Sequence, residues 1–180
     1  MTDSPLVVDS RKLPRQPGAS LEVVVPVTIG EDFAGEVMRA EPGAATVHVL
    51  LESVLDGILA TGAATIPVTG ECVRCLTPLR VELPVEFRQF YTYPGVEQPD
   101  DEDSDIVPIT DPELNLTGAF HDAVVLALPL TPTCRPDCPG LCPECGAMLA
   151  DDPEHRHERI DPRWSELAGW RESDPSPEGD

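Results

Sequence analysis

The sequence predicts an α+β fold that is predominantly β: an antiparallel sheet or partly open barrel, one helix in the C-terminal half, a cysteine-rich knuckle segment and a short terminal helix. Three observations predict it. Apolar residues alternate with polar ones over several stretches of the first half, the period of a half-buried strand. Proline is abundant, at 21 of 180 residues, which favours short elements joined by turns over long helices. All six cysteines fall into two tight clusters.

Taken in order, residues 1–19 read as a flexible N-terminal segment and 20–94 as a β-rich core. Leu21, Val23, Val25, Val27 and Ile29 share one face of a strand, as do Val81, Leu83, Val85 and Phe87. Pro67 and Pro84 point to edge positions or strand ends, because proline cannot donate to a ladder. Val47 to Thr61 fits either period; Gly57, Gly62 and the β-branched flanks favour a bent hairpin over a helix. Residues 95–110 read as an acidic loop, lacking the alternating ligands and central glycine of a calcium loop. Residues 111–170 hold the helix and the cysteine-rich region. Asn115 or Thr117 can cap the helix, Leu116, Phe120, Val124 and Leu128 recur at its spacing, and Pro129 and Pro132 stop it. His121 lies on it without a catalytic companion and reads as a boundary histidine. Asp161-Pro162-Arg163-Trp164 begins a short helix with Asp as cap and Pro in the first turn, and 171–180 read as a disordered tail.

Composition narrows the function. Hydrophobic content of 41% allows a core, while eleven arginines and one lysine face 33 acidic residues, for a net charge of -21. Nucleic-acid affinity comes mainly from Lys and Arg neutralising phosphates, so direct binding to bare RNA is disfavoured and a basic protein partner favoured. The N-terminus has no signal-peptide pattern, and the apolar run from Ala123 to Leu130 falls far short of the ~20 residues of a membrane span. A cytoplasmic location, with no membrane contact, is therefore expected, and structural disulfides are rare there.

The cysteines then become metal ligands. Cys72-Val73-Arg74-Cys75 is a C-x2-C between two predicted strands, and Cys134, Cys138, Cys142 and Cys145 follow the helix, with His155 and His157 ten residues on. A C-x2-C turn brings two thiolates to one tetrahedral zinc. In Cys142-Pro143-Glu144-Cys145-Gly146 proline presets the turn and glycine can take the left-handed conformation. A thioredoxin-like pair would need a βαβ context, and the spacing matches no ferredoxin pattern. Two schemes remain. One has two zinc ions: Cys72, Cys75, Cys134 and Cys138 hold the first, and Cys142, Cys145, His155 and His157 the second. The other has a single ion on Cys134, Cys138, Cys142 and Cys145. Arg74, between two expected ligands, could meet a partner's phosphate or form a salt bridge within this acidic chain.

The run Gly70-Glu71-Cys72-Val73-Arg74-Cys75-Leu76, then Ala127-Leu128-Pro129-Leu130, then Cys134 to Gly146, then Asp161-Pro162-Arg163-Trp164, resembles the YceD family over about residues 20–168. Its members are described as large ribosomal RNA subunit accumulation proteins. The resemblance implies a role in synthesis, processing or accumulation of 23S ribosomal RNA, through a large-subunit precursor or a basic ribosomal protein. It also implies that the four earlier cysteines suffice as a set, since some members lack the later pair. Many members carry C-x-C where this chain has His155-Arg156-His157. The chain holds no nucleophile with a base, phosphate loop or carboxylate pair, so neither an enzyme nor a small-molecule substrate is expected. The alternative reading is a thiol redox or zinc-responsive switch.

Overall fold

The computed structural model describes residues 5–96, 106–157 and Arg163. Its chain divides into two compact units, residues 1–138 and 139–180.

The first unit is built on a six-stranded sheet: β2 (Ser20–Ile29), β3 (Met38–Ala40), β4 (Gly43–Ser53), β5 (Gly57–Glu71), β6 (Pro78–Thr92) and β7 (Ile106–Pro108). Along it the order is β2-β4-β5-β6-β7, with β3 also pairing β5. All pairs are antiparallel except β6 with β7. The sheet does not close into a barrel, so the open antiparallel form of the expectation holds.

The alternation read from the sequence is the alternation of burial. Val27 and Ile29 of β2 and Val85 and Phe87 of β6 are buried, while Glu22, Val24, Glu82 and Glu86 face out. Residues 47–61 form the expected hairpin, turning at Val54–Gly57 with Val54 N–H donating to the Gly57 carbonyl. Gly62 lies opposite Phe87, and a Cβ there would fall inside the Phe87 ring. Glycine is the residue that lets the ring lie flat on the neighbouring strand.

The helix α1 spans Thr117–Ala127, and its Phe120 and Val124 are buried. Phe120 sits between Phe33 and Phe87, with ring centroids 5.7 and 5.9 Å away. Neither expected residue is the cap: that position is Leu116. Asn115 instead accepts from Thr117 N–H at 3.0 Å, and the Thr117 hydroxyl accepts from Leu6 N–H at 3.0 Å.

The N-terminal segment departs from the flexible reading. Val7–Asp9 form β1, paired with β8 (Glu113–Asn115), and Leu6, Val8 and Leu13 are buried in the core. Three-residue strands show no periodicity, and the partner lies about a hundred residues away. Likewise Ile106–Pro108, within the stretch read as acidic loop, is strand β7. The remainder of that loop from 97 to 105, the short helix around Trp164 and the tail lie outside the described residues. No described helix is long and apolar enough to cross a membrane.

The prolines occupy informative places. Among the described residues, β6 pairs β7 over Phe90–Thr92 alone, so the outer side of Pro84, mid-strand in β6, is a sheet edge there. Pro26 is mid-strand in β2, which among the described residues pairs β4 alone. Pro67 falls between the part of β5 paired to β4 and the part paired to β3. The edge expectation holds for Pro84, and Pro67 meets it at a gap inside the sheet.

Candidate metal centres

In the first unit the β5–β6 hairpin turn carries Cys72 and Cys75, and the segment after α1 carries Cys134 and Cys138. The four sulfurs lie within 4.8 Å of one another. Cys72 Sγ is 3.8 Å from Cys138 Sγ, and Cys75 Sγ is 3.7 Å from Cys134 Sγ. A disulfide requires about 2.05 Å. Tetrahedral zinc with Zn–S near 2.3 Å places neighbouring sulfurs about 3.8 Å apart, so the donor set fits that ion.

The second unit brings Cys142, Cys145, His155 and His157 together, again within 4.8 Å. Cys145 Sγ lies 3.2 Å from His155 Nε2 and 3.3 Å from His157 Nε2, and the two Nε2 atoms are 2.9 Å apart. These separations run a few tenths of an ångström under the ~3.3–3.6 Å of a tetrahedral S2N2 site. Both Nε2 atoms converge on one point while the Nδ1 atoms face carboxylates. His157 Nδ1 is 3.6 Å from Glu144 and His155 Nδ1 is 4.0 Å from Asp152. Carboxylates behind the ring fix its orientation and raise its basicity as a ligand. Within each unit the residues gather into the groups named in the two-ion scheme.

Both C-x2-C pairs adopt one turn. Leu76 N–H donates to the Cys72 carbonyl at 2.8 Å and Cys72 N–H to the Thr77 carbonyl at 2.9 Å. In the second turn Gly146 N–H donates to the Cys142 carbonyl at 2.9 Å and Cys142 N–H to the Ala147 carbonyl at 2.8 Å. The residue after the second cysteine is left-handed in each: Gly146 at φ 72° and Leu76 at φ 59°. Glycine does this freely, whereas leucine carries a steric cost of ~1–2 kcal/mol.

The turns also tune the thiols. Burial pushes the Cys72 thiol up, but backbone N–H groups of Cys134, Cys75 and Arg74 outweigh it and bring it down to about 6. Cys75 is lowered by the Thr77 hydroxyl and N–H. Cys142 falls to about 7 through the N–H groups of Cys145 and Glu144, against the effect of burial. Cys134 is pushed up to about 12, chiefly by the Cys138 sulfur beside it. Four thiols this close cannot all ionise unaided, and a divalent cation among them removes that conflict.

Among the described residues, Arg74 is held by main-chain carbonyls. Its guanidinium donates to the Cys138 carbonyl at 3.0 Å and the Pro136 carbonyl at 3.4 Å, tying the hairpin turn to the second pair of cysteines. Thr77, Glu144 and Asp152 support ligands, and sequence reasoning did not single them out. Glu144 alone carried a signal, its place inside the Cys-Pro-x-Cys turn.

Residues 60–170 match the family described as "Large ribosomal RNA subunit accumulation protein YceD". The chain is 41% identical over 166 residues to an uncharacterized protein of Mycobacterium tuberculosis (strain ATCC 25618 / H37Rv), covering 91% of this chain and 80% of that one. It is 37% identical over 166 residues to an uncharacterized protein of Mycobacterium leprae (strain TN), covering 91% and 76%. No solved structure matches it.

Proposed function

The chain belongs to the YceD family, and from that premise we propose that it is a non-enzymatic zinc-binding factor supporting 23S ribosomal RNA accumulation in the cytoplasm. It acts on the large-subunit precursor or on a basic ribosomal protein, without a small-molecule substrate. The observation that carries the metal part is the meeting of Cys72, Cys75, Cys134 and Cys138 within 4.8 Å, from elements about 60 residues apart. The net charge of -21 supports a basic protein as first contact, since a chain of that net charge repels phosphate. Zinc in this reading is structural: the four-thiolate set has no open position for substrate. The second set, with two neutral imidazoles, gives up its ion more readily as acid protonates them.

Two measurements test the reading. Native mass spectrometry with elemental analysis should find two zinc ions per chain; a folded protein without metal would overturn the metal part. Depletion of the protein should lower the ratio of large- to small-subunit RNA and place the remaining protein with large-subunit precursors in gradients. Unchanged ratios and free sedimentation would overturn the ribosomal part. The lowered Cys72 and Cys142 thiols favour a second reading, a thiol or zinc-responsive switch, which requires reversible oxidation with metal release under mild oxidant.

A further inference from the structure

The sheet splits. The β4–β5 register runs from Ser53↔Ile58 to His48↔Ala63 and ends there. Beyond it, β4 continues to Gly43 on β2, while β5 continues on β6. Between the diverging arms, on the outer face of the sheet, is a cleft of about 580 Å³ lined by small residues, among them Ala44, Thr46, Ala63 and Thr65. A second cavity of about 340 Å³, bordered by Val24, Leu50 and Thr61, shares His48 and Ala63 with it. The two form one shallow groove.

The direction of the backbone in the cleft follows from bonds on either side of it. Ser53 N–H donates to the Ala19 carbonyl, toward β2, and the Ser53 carbonyl accepts from Gly18 N–H. Odd residues of β4 therefore turn their main-chain groups to β2, and even ones to β5. The Gly57 carbonyl faces β4 and the Pro67 carbonyl accepts from Glu41 N–H, so odd residues of β5 turn the same way, toward the gap. Past the last pair, Ala44 and Thr46 on one side and Thr65 on the other thus aim N–H and C=O groups into the cleft. Strand edges with such groups are templates for a further strand.

The outer edges of β2 and β6 are guarded. By the same alternation, Pro26 of β2 and Pro84 of β6 occupy places where an N–H would point outward, and each deletes that donor. On β4 nothing deletes it: Ala44 and Thr46 are the even residues past the last pair, and both side chains are exposed. Small side chains leave room for a second backbone. Glu86 and Glu22 border the groove and no lysine or arginine lines either cavity, in a chain of net charge -21.

We propose that this groove docks an extended basic peptide, which adds as a strand to the β5-facing edge of β4 through the main chain of Ala44 and Thr46. The inference deepens the reading above, resting on it for the nature of the partner: a basic protein is held by an extended segment, with hydrogen bonding set by the backbone and charge by Glu22 and Glu86. Alternating cationic and apolar residues suit it, because successive side chains alternate faces: the cationic ones share the outer face with Ala63, Glu86 and Glu22, and the apolar ones turn to the inner face.

The test uses the full zinc-loaded chain and a capped octapeptide of alternating Arg and Val. The expected result is saturable binding with slowed amide exchange at Ala44 and Thr46, and no slowing at the Pro26 or Pro84 edges. The same peptide with every main-chain nitrogen methylated should bind at least about fivefold more weakly, since strand addition depends on those donors. Ala63→Trp, at an exposed position, should fill the groove and abolish binding while leaving the circular dichroism spectrum and zinc content unchanged. Glu86→Lys should weaken binding in a salt-dependent manner. Equal binding by the methylated peptide, binding that survives Ala63→Trp, or protection elsewhere would overturn the proposal, as would no binding at all. None of these outcomes bears on zinc stoichiometry or RNA accumulation, so failure here is distinct from failure of the functional reading.

Discussion

Replacing Cys72 by Ser should unfold more of the molecule than replacing His155 by Ala, although each removes one ligand of four. The two sites close loops of different size. Cys72 and Cys138 are 66 positions apart, whereas Cys145 and His155 are 10 apart. Treating each metal as a cross-link on the unfolded chain, loop closure is worth about 4 kcal/mol for the first and about 3 kcal/mol for the second. The larger difference lies in what each loop holds. The first fastens the β5–β6 turn to the segment after α1, and so to the core in which Phe120 packs on Phe87; the second lies wholly within residues 139–157. Denaturant unfolding of the zinc-loaded proteins, with amide exchange by mass spectrometry, separates them. Cys72→Ser should lose about 4 kcal/mol and expose amides of β5 and β6, with zinc falling from two ions to one under a competing chelator. His155→Ala should also drop to one ion but leave those amides protected. Equal loss of protection in β5 and β6 from both substitutions would refute the assignment of ligands to sites.

Further predictions concern the frame around the sites. Leu76→Gly should leave stability unchanged or raise it by up to ~1 kcal/mol, whereas Gly146→Leu should loosen the second site, because both positions are left-handed; zinc release to a chromogenic chelator measures the second effect. Gly62→Ala should destabilise the first unit by about 2 kcal/mol, since the new methyl meets the Phe87 ring. Thermal denaturation should find Phe87→Leu in that background recovering part of the loss. Burial pushes the Tyr91 phenol from 10 up to about 12, and its hydroxyl donates to the Asn115 carbonyl at 2.7 Å. The fold prefers the neutral phenol, so its contribution is complete below pH 10 and lost as pH rises through 12. Tyr91→Phe should therefore be less stable at neutral pH, with the gap to wild type narrowing over that window in denaturant titrations.

The long strands were legible because burial on one face forces a period of two, as in Leu21 to Ile29 and Val81 to Phe87. The hairpin over 47–61 was harder: Leu50, Leu51, Val54 and Leu55 also fit a helical stripe, and only Gly57 and Gly62 argued otherwise. Strands β1, β3, β7 and β8, three residues each, left no pattern, since such pieces are held by distant partners and not by their own sequence. The two groups that could hold a metal were legible because the cysteine and histidine spacing is that of tetrahedral sites. The role of Arg74 was not: a cation between two thiolates suggests an anion, and only the folded chain reveals the carbonyls of Pro136 and Cys138 turned toward it.

The pairing of β1 with β8 bears on how the protein is made. Leu6 and Val8 cannot take their places in the core until Leu114 and Thr117 have left the ribosome, and the first thiolate set is incomplete until Cys138 has. About two-thirds of the chain must therefore emerge before its beginning has a partner, and late contacts of this kind slow folding and prolong exposure of unpaired strands. The prolines on the β2 and β6 edges then protect the nascent chain as much as the finished one. In that interval Pro26 and Pro84 keep half-made sheets from pairing with those of neighbouring chains.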